Sequence, residues 1–318
     1  MHILVFGKDG QLGQAFQKRF LETAENSYDI TVQYLGRADC DLVDANAVTN
    51  LLNKVQPDLI INAAAYTAVD KAESESGLAN AINAVAPELM AQYAAGHGAA
   101  LLHFSTDYVF DGSKSGFYIE DDLPNPLGQY GKSKAKGEQA IESVFEDASK
   151  GQYAILRTSW VYGAGGNFIK TMLRLARERQ SLQVVQDQWG VPTSADWLAA
   201  VSLDLILDSQ WQLREFHPGI YHAVPPGETN WYELARLAIA TALEVGSPLK
   251  VDLANIKPIQ AAEYPLPAPR PMNSRMSSKK LEEAIIRNAD VSKLERWKMP
   301  WADQVRSYVQ ELVKKQVI

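Results

Sequence analysis

Three glycines within the first thirteen residues constrain this chain more than any other feature. Gly7, Gly10 and Gly13 mark the passage from the apolar run His2 to Phe6 into the stretch Gln11 to Leu21. In that stretch Leu12, Ala15, Phe16 and Phe20 recur at helical spacing. A strand, a tight turn and a helix in this order leave free amides at the helix N-terminus, which suits an anion. The spacing G-x-x-G-x-x-G is one residue wider at its start than the usual dinucleotide fingerprint. The physics is shared: a tight turn, close backbone approach to a pyrophosphate, and close helix–strand packing. No Gly-Lys-Ser/Thr closes the loop, which excludes a nucleoside-triphosphate P-loop.

The alternation continues. Thr31 to Leu35 reads as a second strand, and Val48, Leu51, Leu52 and Val55 form a helical stripe stopped by Pro57. Leu59 to Ala63 and Leu101 to Phe104 are near-continuous apolar runs, as expected of strands covered on both faces. Between them Leu78 to Ala95 is Ala-rich and helical, and Ala154 to Leu156 adds a further strand. The expected fold class is α/β, a Rossmann-like doubly wound parallel sheet with a smaller C-terminal α/β substrate-binding domain.

The second half is less regular. Asn167 to Gln180, Asp196 to Leu207 and Trp231 to Val245 read as helices, with a short strand at Gly219 to Val224. Lys257 to Pro271 carries five prolines and reads as a loop packed over the core. The expected division is a cofactor-binding domain over 1–165, carrying the catalytic groups, and a mainly substrate-binding domain over 166–318. Residues 219–245 are expected to return to the first. Lys279, Lys280, Arg287, Lys293, Arg296, Lys314 and Lys315 read as a solvated face, not a binding patch.

Composition narrows the partners. With 31 Lys+Arg against 38 Asp+Glu, the net charge is −7, a poor match to nucleic acid or a membrane surface. The single cysteine, Cys40, excludes an internal disulfide framework, and the five histidines lack zinc-site spacing. No apolar stretch approaches the roughly 18 residues of a membrane span. A cytoplasmic protein without nucleic-acid or membrane partners is expected.

Chemistry concentrates in three places. The second strand ends in Arg37, whose guanidinium would pair with the 2′-phosphate of NADP, and Asp41-Leu42 beyond it could flank the adenine. Tyr130 and Lys134, four residues apart, share one face if the segment is helical. The lysine would lower the phenol's pKa and hold the nicotinamide ribose. The strand Leu101 to Phe104 turns polar at Ser105-Thr106-Asp107, placing a hydroxyl at the carboxyl edge of the sheet to meet a substrate oxygen. At the parallel strand end Asn62 to Tyr66, the small Ala63, Ala64 and Ala65 suit close cofactor approach.

Together these stretches resemble the extended short-chain dehydrogenase/reductase superfamily and, within it, the dTDP-4-dehydrorhamnose reductase family. The matching segments are Gly7 to Gly13, Asn62 to Glu73, Ser105 to Phe110, Tyr130 to Lys134, Arg157 to Tyr162, Asn167 to Arg174, Asp187 to Thr193 and Arg270 to Arg275. The resemblance implies NAD(P)H-dependent reduction of the C4 keto group of a small-molecule nucleotide sugar, dTDP-4-dehydro-L-rhamnose; Arg37 leans the cofactor toward NADPH, with NADH as the alternative. It implies Tyr130 as proton donor, Lys134 as its modulator and Thr106 as holder of the keto oxygen. It places Asp107, Trp160 and Arg270 around the substrate. Around the cofactor it places Gly10, Gln11, Leu12, Asp41, Leu42, Ala63, Ala64, Ala65 and Phe104, to which the glycine loop adds Gly7 and Gly13 and the strand end adds Tyr66. Some members carry a glutamate, associated with a divalent cation at a subunit contact, where this chain has Ala15. Asp196 alone would be a weak site, so no metal is expected, while a homodimer stays open. Two rivals are a reductase of another nucleotide-linked 4-keto-6-deoxy sugar and a non-catalytic NAD(P)-binding regulatory subunit.

Overall fold

The computed structural model describes residues 1–23, 30–286 and 297–317. Six strands form the central sheet: β1 (His2–Phe6), β2 (Thr31–Leu35), β3 (Leu59–Asn62), β4 (Ala100–Thr106), β5 (Gln152–Thr158) and β6 (Gly219–His222). All pairings are parallel, in the spatial order β6-β5-β4-β3-β1-β2. The direction of winding reverses between β1 and β3, and open α/β sheets bind ligands at the carboxyl edge of such a point. The principal helices, in chain order, are α1 (Gln11–Thr23), α2 (Ala45–Val55), α3 (Ala86–His97), α4 (Gln129–Glu146), α5 (Phe168–Glu178), α6 (Ala195–Ile206), α7 (Trp231–Glu244), α8 (Lys279–Ile286) and α9 (Trp301–Lys314).

Strand alternation sorts the core. Ile3 and Val5 of β1 face α1, α6 and α8, while Leu4 and Phe6 face α2, α3 and α4. Each such aliphatic or aromatic side chain contributes about 1.5–3 kcal/mol on burial. A third cluster joins α5, α7 and α9, with Ile169, Leu173, Leu234, Ile239, Val305 and Val309 at its centre. Thus β6 joins the first sheet, but α7 packs in the third cluster. The helices that cover the sheet from beyond residue 165 are α6, which lies against α1, and α8.

Local chemistry explains the boundaries. Asp44 caps α2 by accepting from Asn46 N and Ala47 N, and the helix ends at Gln56 in a left-handed conformation before Pro57. Asn167, Ser194 and Asn230 cap α5, α6 and α7 in the same way.

Two expectations need correction. The stretch 78–95 is not one regular helix, because Ala81–Val85 forms a π-helical turn before α3. There Asn83 bonds both Tyr66 backbone groups and the Ser133 hydroxyl, and its carbonyl lies against Gly137 of α4, where a Cβ would come within 2.1 Å. The proline-rich stretch is not all loop, since Ile256–Ile259 pairs in parallel with Leu182–Val185 and sets Pro258 opposite Val184. In a two-stranded ribbon both strands are edges, so proline's missing N–H can face outward.

Near the C-terminus, Lys279 and Lys315 make exposed ion pairs with Glu283 and Glu311, one helical turn away. Arg287, Lys293 and Arg296 lie outside the described residues.

Candidate active site

The carboxyl ends of β1, β3 and β4 open into a cleft of about 860 Å³. Its floor is the glycine loop. Gly7 has φ +87°, and a Cβ there would meet Ala64 N at 2.7 Å and the Ala63 carbonyl at 2.8 Å. Only glycine supports that conformation and that approach without strain. Gly10, Gln11 and Leu12 continue the wall where α1 begins. Gly13 is not on the wall but packs beneath it, its Cα side facing the Gly7 carbonyl. Beside it, at the end of the neighbouring strand β3, Ala63, Ala64, Ala65 and Tyr66 line the cleft. A backbone cradle, open helix amides and small facing side chains fit a dinucleotide pyrophosphate.

At the end of β2 the cleft is bounded by Arg37, Asp41 and Leu42. The Arg37 side chain is 77% exposed and contacts Asp41 at 3.3 Å. Lys8 is instead committed to Asp39, which also accepts the Gly36 N–H.

Thr106, Asp107, Tyr130 and Lys134 converge on the same wall beside Phe104. Helix α4 puts Tyr130 and Lys134 one turn apart, and it can approach because Gly131 lies against the Tyr108 carbonyl, where a Cβ would come within 2.1 Å. Tyr108 meets Tyr130 edge-on at 5.5 Å. Lys134 is buried; its Nζ donates to the Phe104 carbonyl at 2.6 Å and lies 3.2 Å from His103 Nε2.

The electrostatics differ from expectation. Burial pushes the Tyr130 phenol up to about 12, opposed by a hydrogen bond with Thr106. Lys134 is not among the groups that shift the Tyr130 phenol; burial is the largest influence on it. Burial also brings Lys134 down to about 8 against the pull of Glu138. A raised phenol remains protonated at neutral pH, the form that a proton donor requires. Asp107 is pushed up to about 6 by burial, against hydrogen bonds from Ser274 and Thr106.

Toward the second half of the chain, Trp160 lines the cleft and stacks on Trp231 with ring centroids 3.6 Å apart. Thr158 and Ser159, inside the matching segment Arg157 to Tyr162, line the same wall, as does Trp231, which no sequence spacing marks as a site residue. Arg270 is not on this wall; it is tied to Asp70 at 2.9 Å and to the Ala268 carbonyl. Asp196 is paired with Lys18 at 2.5 Å, and Ala15 is buried. Among the described residues no group of three or more His, Cys, Asp or Glu could hold a metal ion, and no helix is long and apolar enough to cross a membrane.

Known proteins place this arrangement. The family model "RmlD substrate binding domain" matches residues 1–311. The dTDP-4-dehydrorhamnose reductase of Salmonella typhimurium is 42% identical over 301 residues, covering 94% of this chain and 95% of its own. The Escherichia coli K12 reductase is 40% identical over 289 residues, covering 89% and 91%. Among solved structures, the reductase from Clostridium acetobutylicum superposes with a TM-score of 0.83 at 34% identity, covering 98% of this chain and 100% of its own. That from Bacillus anthracis, in complex with NADP, gives 0.78 at 31%, covering 97% and 98%. Glycine cradle, strand-end hydroxyl, the Tyr130–Lys134 pair and similarity along nearly the whole chain agree: the chain belongs to the dTDP-4-dehydrorhamnose reductase family.

Proposed function

We propose that this chain reduces the C4 keto group of dTDP-4-dehydro-L-rhamnose to give dTDP-L-rhamnose, using NADPH in preference to NADH. The observation that carries the proposal is the convergence of Thr106, Tyr130 and Lys134 on one wall of the cleft floored by the glycine loop. A reduced nicotinamide dinucleotide bound there supplies a hydride. The chain's own groups do the rest. The α1 N-terminus and Gly10 hold the pyrophosphate, and Lys134 holds the ribose. Tyr130 gives its phenolic proton to the substrate oxygen, while Thr106 donates a hydrogen bond to that oxygen. Positioned donors aimed at developing charge are usually the largest catalytic contribution.

Arg37 supports NADPH: its exposed guanidinium stands at the cleft rim, with a long contact to Asp41 as its only ion pair among the described residues. Trp160, backed by Trp231, offers an aromatic face on the substrate side. Arg270, locked to Asp70, would serve by holding the 268–270 segment near the cleft mouth. The catalytic groups lie before about residue 165, and the third cluster of α5, α7 and α9 lies after it, which supports a second unit there.

The test is NADPH oxidation by purified protein with a panel of dTDP-4-keto sugars. Turnover of the dehydrorhamnose substrate, with dTDP-L-rhamnose as product, is expected. Preference for another 4-keto-6-deoxy sugar would favour the sibling reductase, and tight NADPH binding without oxidation would favour a regulatory subunit.

A further inference from the structure

His103 of β4 is fully buried with both ring nitrogens engaged: Nδ1 lies 3.0 Å from Asn62 Nδ2, and Nε2 lies 3.2 Å from Lys134 Nζ. Asn62 and His103 are direct partners across the β3–β4 ladder. Burial and the Lys134 charge hold the imidazole far below its ordinary pKa, so the ring is neutral. A neutral imidazole has one donor nitrogen and one acceptor.

Asn62 decides which is which. Its Oδ1 accepts the Ala64 N–H at 3.3 Å, so its amide nitrogen faces His103 Nδ1 and donates to it. The ring hydrogen is then on Nε2, directed at Lys134 Nζ. An N–H aimed at an ammonium is repelled, whereas the same N–H aimed at an amine donates to its lone pair. The other charged or titratable groups around Lys134 come from three elements. On α4 itself stand Tyr130 one turn earlier and Glu138 one turn later. From β5, Arg157 pairs with Glu138 at 2.7 Å, and Asp107 follows β4 near Tyr130. Glu138 favours the ammonium; burial opposes it.

We propose that His103 is a positioning residue for Lys134: oriented by Asn62, it holds the lysine nitrogen beside the Phe104 carbonyl and, with its hydrogen on Nε2, favours release of a proton from the ammonium. This rests on the reading of Tyr130 and Lys134 as the proton-transfer pair. Tyr130 loses its O–H proton to the substrate oxygen. One ammonium proton of Lys134 replaces it, leaving an amine whose lone pair accepts the His103 Nε2–H. A solvent proton then restores the ammonium.

Magnetic resonance of the full chain with isotope-labelled histidine and lysine tests this without turnover. The wild-type protein should show the Nε2–H tautomer at His103 and a Lys134 titration midpoint below that of ordinary lysines. His103→Leu should raise the midpoint by about one pH unit, a tenfold change in ionisation constant. His103→Gln, which can present an N–H in the same place, should bring it back. If the leucine variant does not fold, Asn62→Asp reads the network from its other end: a carboxylate fixes the hydrogen on Nδ1 and should raise the midpoint. An Nδ1–H tautomer in the wild type overturns the proposal, as does a midpoint that stays or falls in His103→Leu or Asn62→Asp. Full turnover by Tyr130→Phe would instead remove the proton-transfer reading, leaving the measured midpoints as they are.

Discussion

The Thr106 hydroxyl donates to Asp107 Oδ1 at 2.9 Å, and both side chains are buried at the wall of the cleft. The same hydroxyl oxygen accepts the Tyr108 N–H at 3.2 Å. A hydroxyl has one hydrogen, so the role proposed for Thr106 toward a keto oxygen requires that hydrogen to turn away from Asp107. A protonated Asp107 would donate to Thr106 and leave its hydrogen free for the substrate.

Asp107 therefore makes stability depend on pH in an unusual direction. Its folded pKa is raised from 3.8 to about 6, so the folded chain binds the proton more tightly than the unfolded one. The contribution is fully present below pH 3.8 and is lost as pH rises through about 6, amounting to about 3 kcal/mol. Asp107→Asn keeps the acceptor for Thr106 and removes the titration. Urea unfolding between pH 4 and 7 should show a flatter stability profile for the variant than for the wild type; parallel profiles would contradict the burial effect.

Tyr130→Phe removes the proposed proton donor and its hydrogen bond with Thr106, while the ring keeps its edge contact with Tyr108. General-acid catalysis contributes about 10²–10⁴-fold, and kcat should fall by that factor while NADPH affinity changes less than about threefold. Steady-state kinetics beside a fluorescence titration of NADPH separates the two quantities. Near wild-type turnover would falsify the role of Tyr130.

Arg37→Ser should reduce kcat/KM for NADPH by about tenfold, the worth of one charge-assisted phosphate contact, and leave NADH nearly unchanged. The comparison is made with the same preparation and both cofactors. Equal losses for the two would mean that Arg37 does not touch the 2′-phosphate.

Glu138 and Arg157 form a two-pronged ion pair with both side chains almost wholly buried, and the guanidinium lies over the Phe110 ring at 5.0 Å. Glu138→Gln strands a buried cation and should cost about 3–5 kcal/mol, read as a lower urea midpoint. A loss below about 1 kcal/mol would mean that solvent reaches Arg157 in the variant.

Much of this architecture was legible in the sequence, and physical reasons set the limit. Leu59 to Asn62 and Leu101 to Phe104 announced buried parallel strands because both faces need apolar cover. Thr106 was legible because a buried strand that turns polar at its carboxyl end sets those groups at the cleft, although Thr106 also caps the turn that follows. The two-residue strands Val161–Tyr162, Trp189–Gly190, Thr193–Ser194 and Thr229–Asn230 are too short to carry a period. Trp231 was hidden for a different reason: its place beside Trp160 is a contact across seventy residues, which no local spacing encodes. Spacing shows that Tyr130 and Lys134 are close but not how deeply they sit, and burial is the largest influence on both groups.

The edge position of β6 has a consequence for how the molecule is made. Its residues 219–222 hydrogen-bond in parallel to Ala154–Arg157, after the chain has passed through α5 and α6. During synthesis the outer rim of β5 therefore stays bare while the ribosome adds more than sixty residues. A fragment ending near residue 165 would keep that bare rim and lack the α6 cover over α1, so it would be prone to edge-to-edge aggregation. The two halves are interleaved along the chain and are built to fold together.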